Sequence, residues 1–261
     1  MKKLDYLFVS VILCVLIFSS CRARFYTPNR NPVPLFKDKG DVYIDGSSNF
    51  LNKYDLTAGY AITKNIGGYI GYGGSGLNVN TSTTDSQSQV TTTENRRYRG
   101  DMLNLGLGYF LNQEESANFR FEIFGDLAMG NYRNSYVQNG NKLFLNGNFM
   151  RIGIMPNIGF TSNDNSFSIA YSARVSQITF TNSTNNNSTF WQSDLKRLNS
   201  KTNYMLLEHA LTMRAGGEKL KFQMQFGLYQ GLNSEELVNA VPVLNASIML
   251  GLVVNINTSG L

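Results

Sequence analysis

The sequence predicts an all-β fold, a closed antiparallel up-and-down barrel of about ten strands. Three observations support this. Apolar and polar residues alternate with period two over long stretches. Short and long connections alternate between those stretches. The chain is rich in Gly, Asn, Ser, Thr, Tyr and Phe, a mix that suits strands and turns rather than helices.

The chain opens with MKKLDYLFVSVILCVLIFSSC. Lys2 and Lys3 give a positive start, and Leu7 to Phe18 an apolar run short of the ~20 residues a membrane-spanning helix needs. Ser19 and Ser20 are small, as signal-peptide cleavage requires, and Cys21 follows directly. This resembles the lipobox of bacterial lipoproteins, with Phe18 where leucine is usual. The resemblance implies a leader over 1–20 and acylation of Cys21, by palmitate or a similar chain. Cys14 leaves with the leader, so neither a disulfide framework nor a cysteine metal site is expected. Residues 21–40 hold three of the five prolines, Pro28, Pro32 and Pro34, and read as an extended lipidated tether. The residues just after Cys21 are basic, which favours a periplasm-facing anchor over surface export. The barrel domain occupies 41–261.

Ten alternating segments are predicted, near 41–48, 54–63, 66–75, 99–111, 118–130, 148–160, 166–179, 202–215, 219–230 and 242–256. Leu103, Leu105, Leu107 and Tyr109 oppose Asn104, Gly106 and Gly108. In the fifth segment Phe119, Phe121, Ile123, Leu127 and Met129 oppose Arg120, Glu122 and Asp126. Ile152, Ile154 and Ile158 oppose Arg151 and Asn157, and Arg174 lies opposite the apolar face of the seventh segment. Phe222, Met224, Phe226 and Leu228 oppose Lys221, Gln223 and Gln225, and the last segment is apolar at every even position from Leu244 to Ile256. Several segments match the ~9–11 residues with which a tilted strand crosses a bilayer. The connections after the second, fourth, sixth and eighth are short. Those at 76–98, 131–147, 180–201 and 231–241 are longer, the pattern of outer-membrane barrels. An even strand count puts both ends of the barrel on the short-turn, periplasmic side, where a lipid on Cys21 would reach the inner leaflet.

The words GDVYIDGSSNF and YDLTAGYAITKNIGGYIGYG, with Ala58 to Gly67 at their centre, resemble lipid-anchored outer-membrane β-barrel proteins of the Bacteroidota, as does HALTMRAGGEKLKFQMQFGL at 209–228. The resemblance implies the same architecture and no particular activity.

Chemistry-bearing residues are sparse. His209 is the one histidine, falls on an apolar face and cannot be oriented by Glu208, because strand neighbours point to opposite faces. No catalytic residue, metal site or cofactor is predicted. Arg120, Glu122, Asp126, Arg151, Arg174, Glu208 and Arg214 are expected to face the lumen as an ion-paired network. The sharper alternative for them is a narrow channel for small solutes. Arg96, Arg97, Arg99, Lys196, Arg197 and Lys201 are expected at the outer rim, facing lipid headgroups. The pI near 9.1 would allow nucleic acid, but an exported chain excludes it. The expected partners are outer-membrane lipid, lipopolysaccharide phosphates and a larger outer-membrane complex. The expected role is a non-enzymatic structural or accessory one in the envelope. A soluble, lipid-tethered periplasmic binding barrel is the remaining alternative.

Overall fold

A computed structural model describes residues 25–49, 53–84, 91–111, 118–138, 141–186, 189–200, 203–232 and 244–257. Cys21, Lys201 and the leader lie outside the described residues. The strands are β1 (Asp41–Asn49), β2 (Lys53–Ala61), β3 (Ile66–Thr84), β4 (Thr91–Phe110), β5 (Phe119–Gln138), β6 (Asn141–Thr161), β7 (Phe167–Asn185), β8 (Asn203–Gly216), β9 (Leu220–Gly231) and β10 (Leu244–Asn257). Each pairs antiparallel with its sequence neighbour, and β1 pairs with β10 from Asp41↔Asn257 to Ser48↔Leu250, so the barrel is closed. At the height of the outward apolar face, closure leaves no unpaired strand edge among the described residues, which is what a hydrocarbon environment demands of a sheet.

The strand faces follow the predicted parity. Leu103, Leu105 and Leu107, Ile152, Ile154 and Ile158, and Leu220, Phe222 and Leu228 are exposed on the outside. Their neighbours Asn104, Arg151, Asn157, Lys221 and Gln223 are buried inside. On β5 the outward apolar row runs from Phe119 to Met129 before Arg133 appears. At ~3.3 Å per residue and a tilt of ~40°, that row is ~25 Å tall, the height of an outer-membrane hydrocarbon band. Exposed Tyr60, Tyr109, Phe119, Phe160, Phe167 and Phe222 ring its short-turn edge, and Tyr54 and Tyr72 stand at the other. The turn at 162–166 is fastened by Asp164, which accepts from the Ser162 hydroxyl (2.6 Å) and the Ser166 amide (3.1 Å). Those bonds hold its carboxyl down at about 2.

Three features depart from the sequence expectation. First, the connections at 76–98 and 131–147 are largely strand. β3 and β4 stay paired to Thr84↔Thr91, and β5 and β6 to Gln138↔Asn141. Threonine-rich and aromatic alternating stretches favour extended pairing over loop. Second, Thr189–Ser200 is a helix, α1, within the expected loop at 180–201. Its Leu198 is buried and Leu195 partly buried against the aromatic cluster at the long-loop end of the lumen. Third, residues 25–36, part of the stretch 21–40 expected as an extended lipidated tether, lie inside the barrel. They run without regular structure from the long-loop end to the short-turn end, then turn at Gly40 (φ +89°) into β1. Phe25 packs edge-on against Tyr132 near the long-loop end, and Phe36 sits between Phe110 and Phe124 near the short turns. The Phe36 ring crosses Gly67 so closely that a Cβ there would meet it at 2.6 Å.

Candidate functional site: the filled lumen

The segment suits a polar lumen for a definite reason. An extended chain has no internal hydrogen bonds, so each buried backbone group must find a partner on the barrel wall. Pro28, Pro32 and Pro34 carry no N–H, which removes three donors at the start. The carbonyls remain, and the wall supplies donors to them. Lys53 donates to Pro28 O, Asn157 to Pro32 O (3.2 Å) and Arg214 to Val33 O (2.5 Å). Three of the remaining backbone amides reach wall acceptors: Arg30 N donates to Asp55 (3.1 Å), Asn31 N to Gln225 (3.1 Å) and Phe36 N to Glu122 (2.7 Å). Gln225 returns a bond to Asn31 O (2.9 Å), and the Asn31 side chain donates to Ser172 and to the Glu208 carbonyl, both at 3.2 Å. The segment thus bonds directly to β1, β2, β5, β6, β7, β8 and β9.

The lumen charges form two groups around it. In one, Arg151 donates to Asp126 (2.6 and 3.0 Å), Arg174 pairs with Glu208 and lies 3.8 Å from Asp126, and Tyr69 donates to Asp126 (2.8 Å). Asn29 enters from the segment, and its side-chain oxygen accepts from both Arg151 (2.8 Å) and Arg174 (3.1 Å). Tyr26 accepts from Arg151 (2.5 Å) and donates to Glu208 (3.2 Å). In the other group Arg30, carried by the segment, pairs with Asp45, and its Nη2 donates to Tyr43 (3.1 Å), which itself donates to Asp45 (2.5 Å). Arg214 lies over the Tyr43 ring at 5.2 Å and donates to Gln223 (2.7 Å).

Of the seven residues expected in the lumen, Asp126, Arg151, Arg174 and Glu208 therefore meet in one cluster. Arg214 stands in the second, Glu122 binds the segment and Asn157 (3.2 Å), and Arg120 bonds to the Phe119 carbonyl (3.0 Å) near the short turns. Asp45, Lys53 and Asp55 were not singled out from the sequence. Their parity against Ile44, Tyr54 and Leu56 was the signal available. Tyr26, Asn29, Arg30 and Asn31 had none, because a strand-free segment has no period to read.

Among the described residues, two spaces in the lumen are bounded by the segment. A vestibule of about 590 Å³ at the short-turn end is bounded by Pro34, Leu35 and Phe36. A cavity of about 140 Å³ in the long-loop half is bounded by Phe25, Thr27, Pro28 and Asn29.

At the outer rim the expected basic group is altered. Arg97 and Arg99 point outward and are exposed, Lys196 is exposed on α1, and Arg197 is part of the same helix. Arg96 instead faces inward, its guanidinium 5.2 Å from the ring centre of buried Tyr136, because it is offset by one residue from Arg97 and Arg99 on alternate-facing β4. Arg133 replaces it outside, as the direct cross-strand partner of Arg99. His209 also faces outward, 2.5 Å from the Tyr171 hydroxyl, while Glu208 is buried in the lumen.

No protein-family model matches the chain, and no curated protein matches it. Among solved structures it is similar to the translocator domain of the autotransporter NalP from Neisseria meningitidis. The TM-score is 0.42 and the identity 11%, over 82% of this chain and 86% of that one. The closed order of ten strands, with its apolar face outward, makes the chain an outer-membrane-type β-barrel in its own right.

Proposed function

We propose that this protein is a lipid-anchored outer-membrane barrel that its own N-terminal segment keeps closed, with a non-enzymatic structural or accessory role in the envelope. The observation that carries the reading is the course of residues 25–36 down the lumen, bonded to seven of the ten strands. A channel for small solutes would need a continuous water path. Here the two cavities end on opposite sides of the same segment. The outward apolar band speaks against a soluble binding barrel, since such a face would be left in water. The separation of His209 from Glu208 by the barrel wall speaks against a hydrolase built on that histidine.

At the rim, Arg99 and Arg133 are like charges placed directly opposite on neighbouring strands, with Arg97 on the same face. Such a pair is destabilising unless an anion lies between its members. Phosphate-bearing lipid headgroups at the top of the apolar band are the partner class this arrangement favours.

The lumen reading is tested by electrical recording in a planar bilayer. The unaltered protein is expected to pass no steady current. Arg30→Ala combined with Asn31→Ala cuts side-chain bonds to β1, β7 and β8 and is expected to produce intermittent current. A steady open current from the unaltered protein would overturn the reading.

A further inference from the structure

The direction in which residues 25–36 thread the lumen fixes the side on which the chain before them leaves. Phe25 contacts Tyr132, and Tyr26 contacts Phe149, both beyond the upper half of the apolar band. Phe36 lies among Phe110, Phe124 and Gly67 at the opposite end. The intermediate contacts fall in order: Pro28 with Lys53, Arg30 with Asp45, Asn31 with Ser172 and Gln225, Val33 with Arg214.

Chain length then decides between the two leaflets. Tyr132 is thirteen residues along β5 from Phe119, which marks the short-turn edge of the band. At ~3.3 Å per residue and ~40° of tilt, that is ~33 Å along the barrel axis. Phe25 is four residue steps along the chain from Cys21, and fully extended those steps span at most ~14 Å. Cys21 therefore cannot reach the short-turn edge, and the lumen below Phe25 is already occupied by the segment itself.

We infer that the N-terminal end of the mature chain emerges through the long-loop mouth, on the cell-surface side of the outer membrane, so that the acyl group expected on Cys21 enters the outer leaflet. This rests on the outer-membrane reading above and replaces the inner-leaflet anchor that the even strand count and the basic residues after Cys21 suggested. The even count does put Asp41 and Asn257 at the short-turn end. The segment before β1 doubles back, and the count takes no account of that. The surface end would then sit on the same side as outward Arg97, Arg99 and Arg133.

The test uses the full chain in the outer membrane of intact cells, with one epitope tag in each of three positions. One lies between Ala23 and Arg24, one between Asn163 and Asp164 in a short turn, and one between Ser86 and Gln87. The expected result is full antibody signal from the first and third on intact cells, and signal from the second only after permeabilisation. If the third reads on intact cells and the first needs permeabilisation, the inference is overturned while the barrel orientation stands. If the third also needs permeabilisation, the orientation itself fails and the inference with it. A second variant tests the threading separately. Asn31→Cys with Ser172→Cys, whose native side chains lie 3.2 Å apart, is expected to form an intramolecular disulfide in the oxidising envelope. A heat-modifiable, folded barrel without that disulfide would overturn the threading.

Discussion

Arg174 and Glu208 face each other across the β7–β8 pair, and neither side chain is accessible to solvent. The attraction between such buried charges is largely offset by the cost of removing both from water, whereas deleting one leaves the other uncompensated. Arg174→Met is therefore expected to destabilise the barrel by ~3–5 kcal/mol, measured by urea titration in lipid vesicles. Arg174→Met with Glu208→Leu is expected to recover most of that loss. A single variant indistinguishable from the unaltered protein would remove the uncompensated-charge account. Alternation alone placed both residues on the inner face, because parity in a strand is fixed by the backbone. Which charges would meet was not legible. Asn29 and Tyr26 join the cluster from 97 or more residues away in sequence, and such pairings depend on how a second segment is threaded.

The outward band is the feature of the strands most fully written in the sequence, since every spanning strand repeats it with period two. Ile154 lies near mid-height of the β6 row between Phe160 and Met150 and is 58% exposed. Ile154→Arg is expected to cost ~2–4 kcal/mol in a bilayer, against ~0–1 for Asn148→Arg above the band. Equal costs at the two positions would mean that the face does not meet hydrocarbon. The upper parts of the same strands were harder to read. Asn139-Gly140 lies between Gln138 and Asn141, which are paired, and this dipeptide favours a two-residue hairpin. The signal was present, but the polar, asparagine-rich surroundings read as loop. Helix α1 was not expected either. Its Leu195 and Leu198, spaced by three, gain their value only from an aromatic cluster that the fold assembles above the lumen.

For the whole molecule, the segment replaces what a soluble domain would have as a core. The centre of the lumen is polar, and the groups that gather there come from strands far apart in the chain. Such non-local contacts make folding slow, because loop closure must come before they stabilise anything. The segment nevertheless ties seven strands together before the ring is sealed, so deleting residues 25–36 is expected to slow the appearance of the heat-modifiable form on refolding into vesicles still further, followed as a band shift over time. An unchanged rate would mean that the segment docks only after the barrel is complete. The bonds from Asn31 to Ser172, Glu208 and Gln225 have a kinetic consequence. They can form only when β7, β8 and β9 have arrived, and by then only β10 is needed to complete the ring against β1. Sealing the wall and stoppering it are thus parts of one cooperative event, and a productive pathway need not pass through an empty, leaking ring.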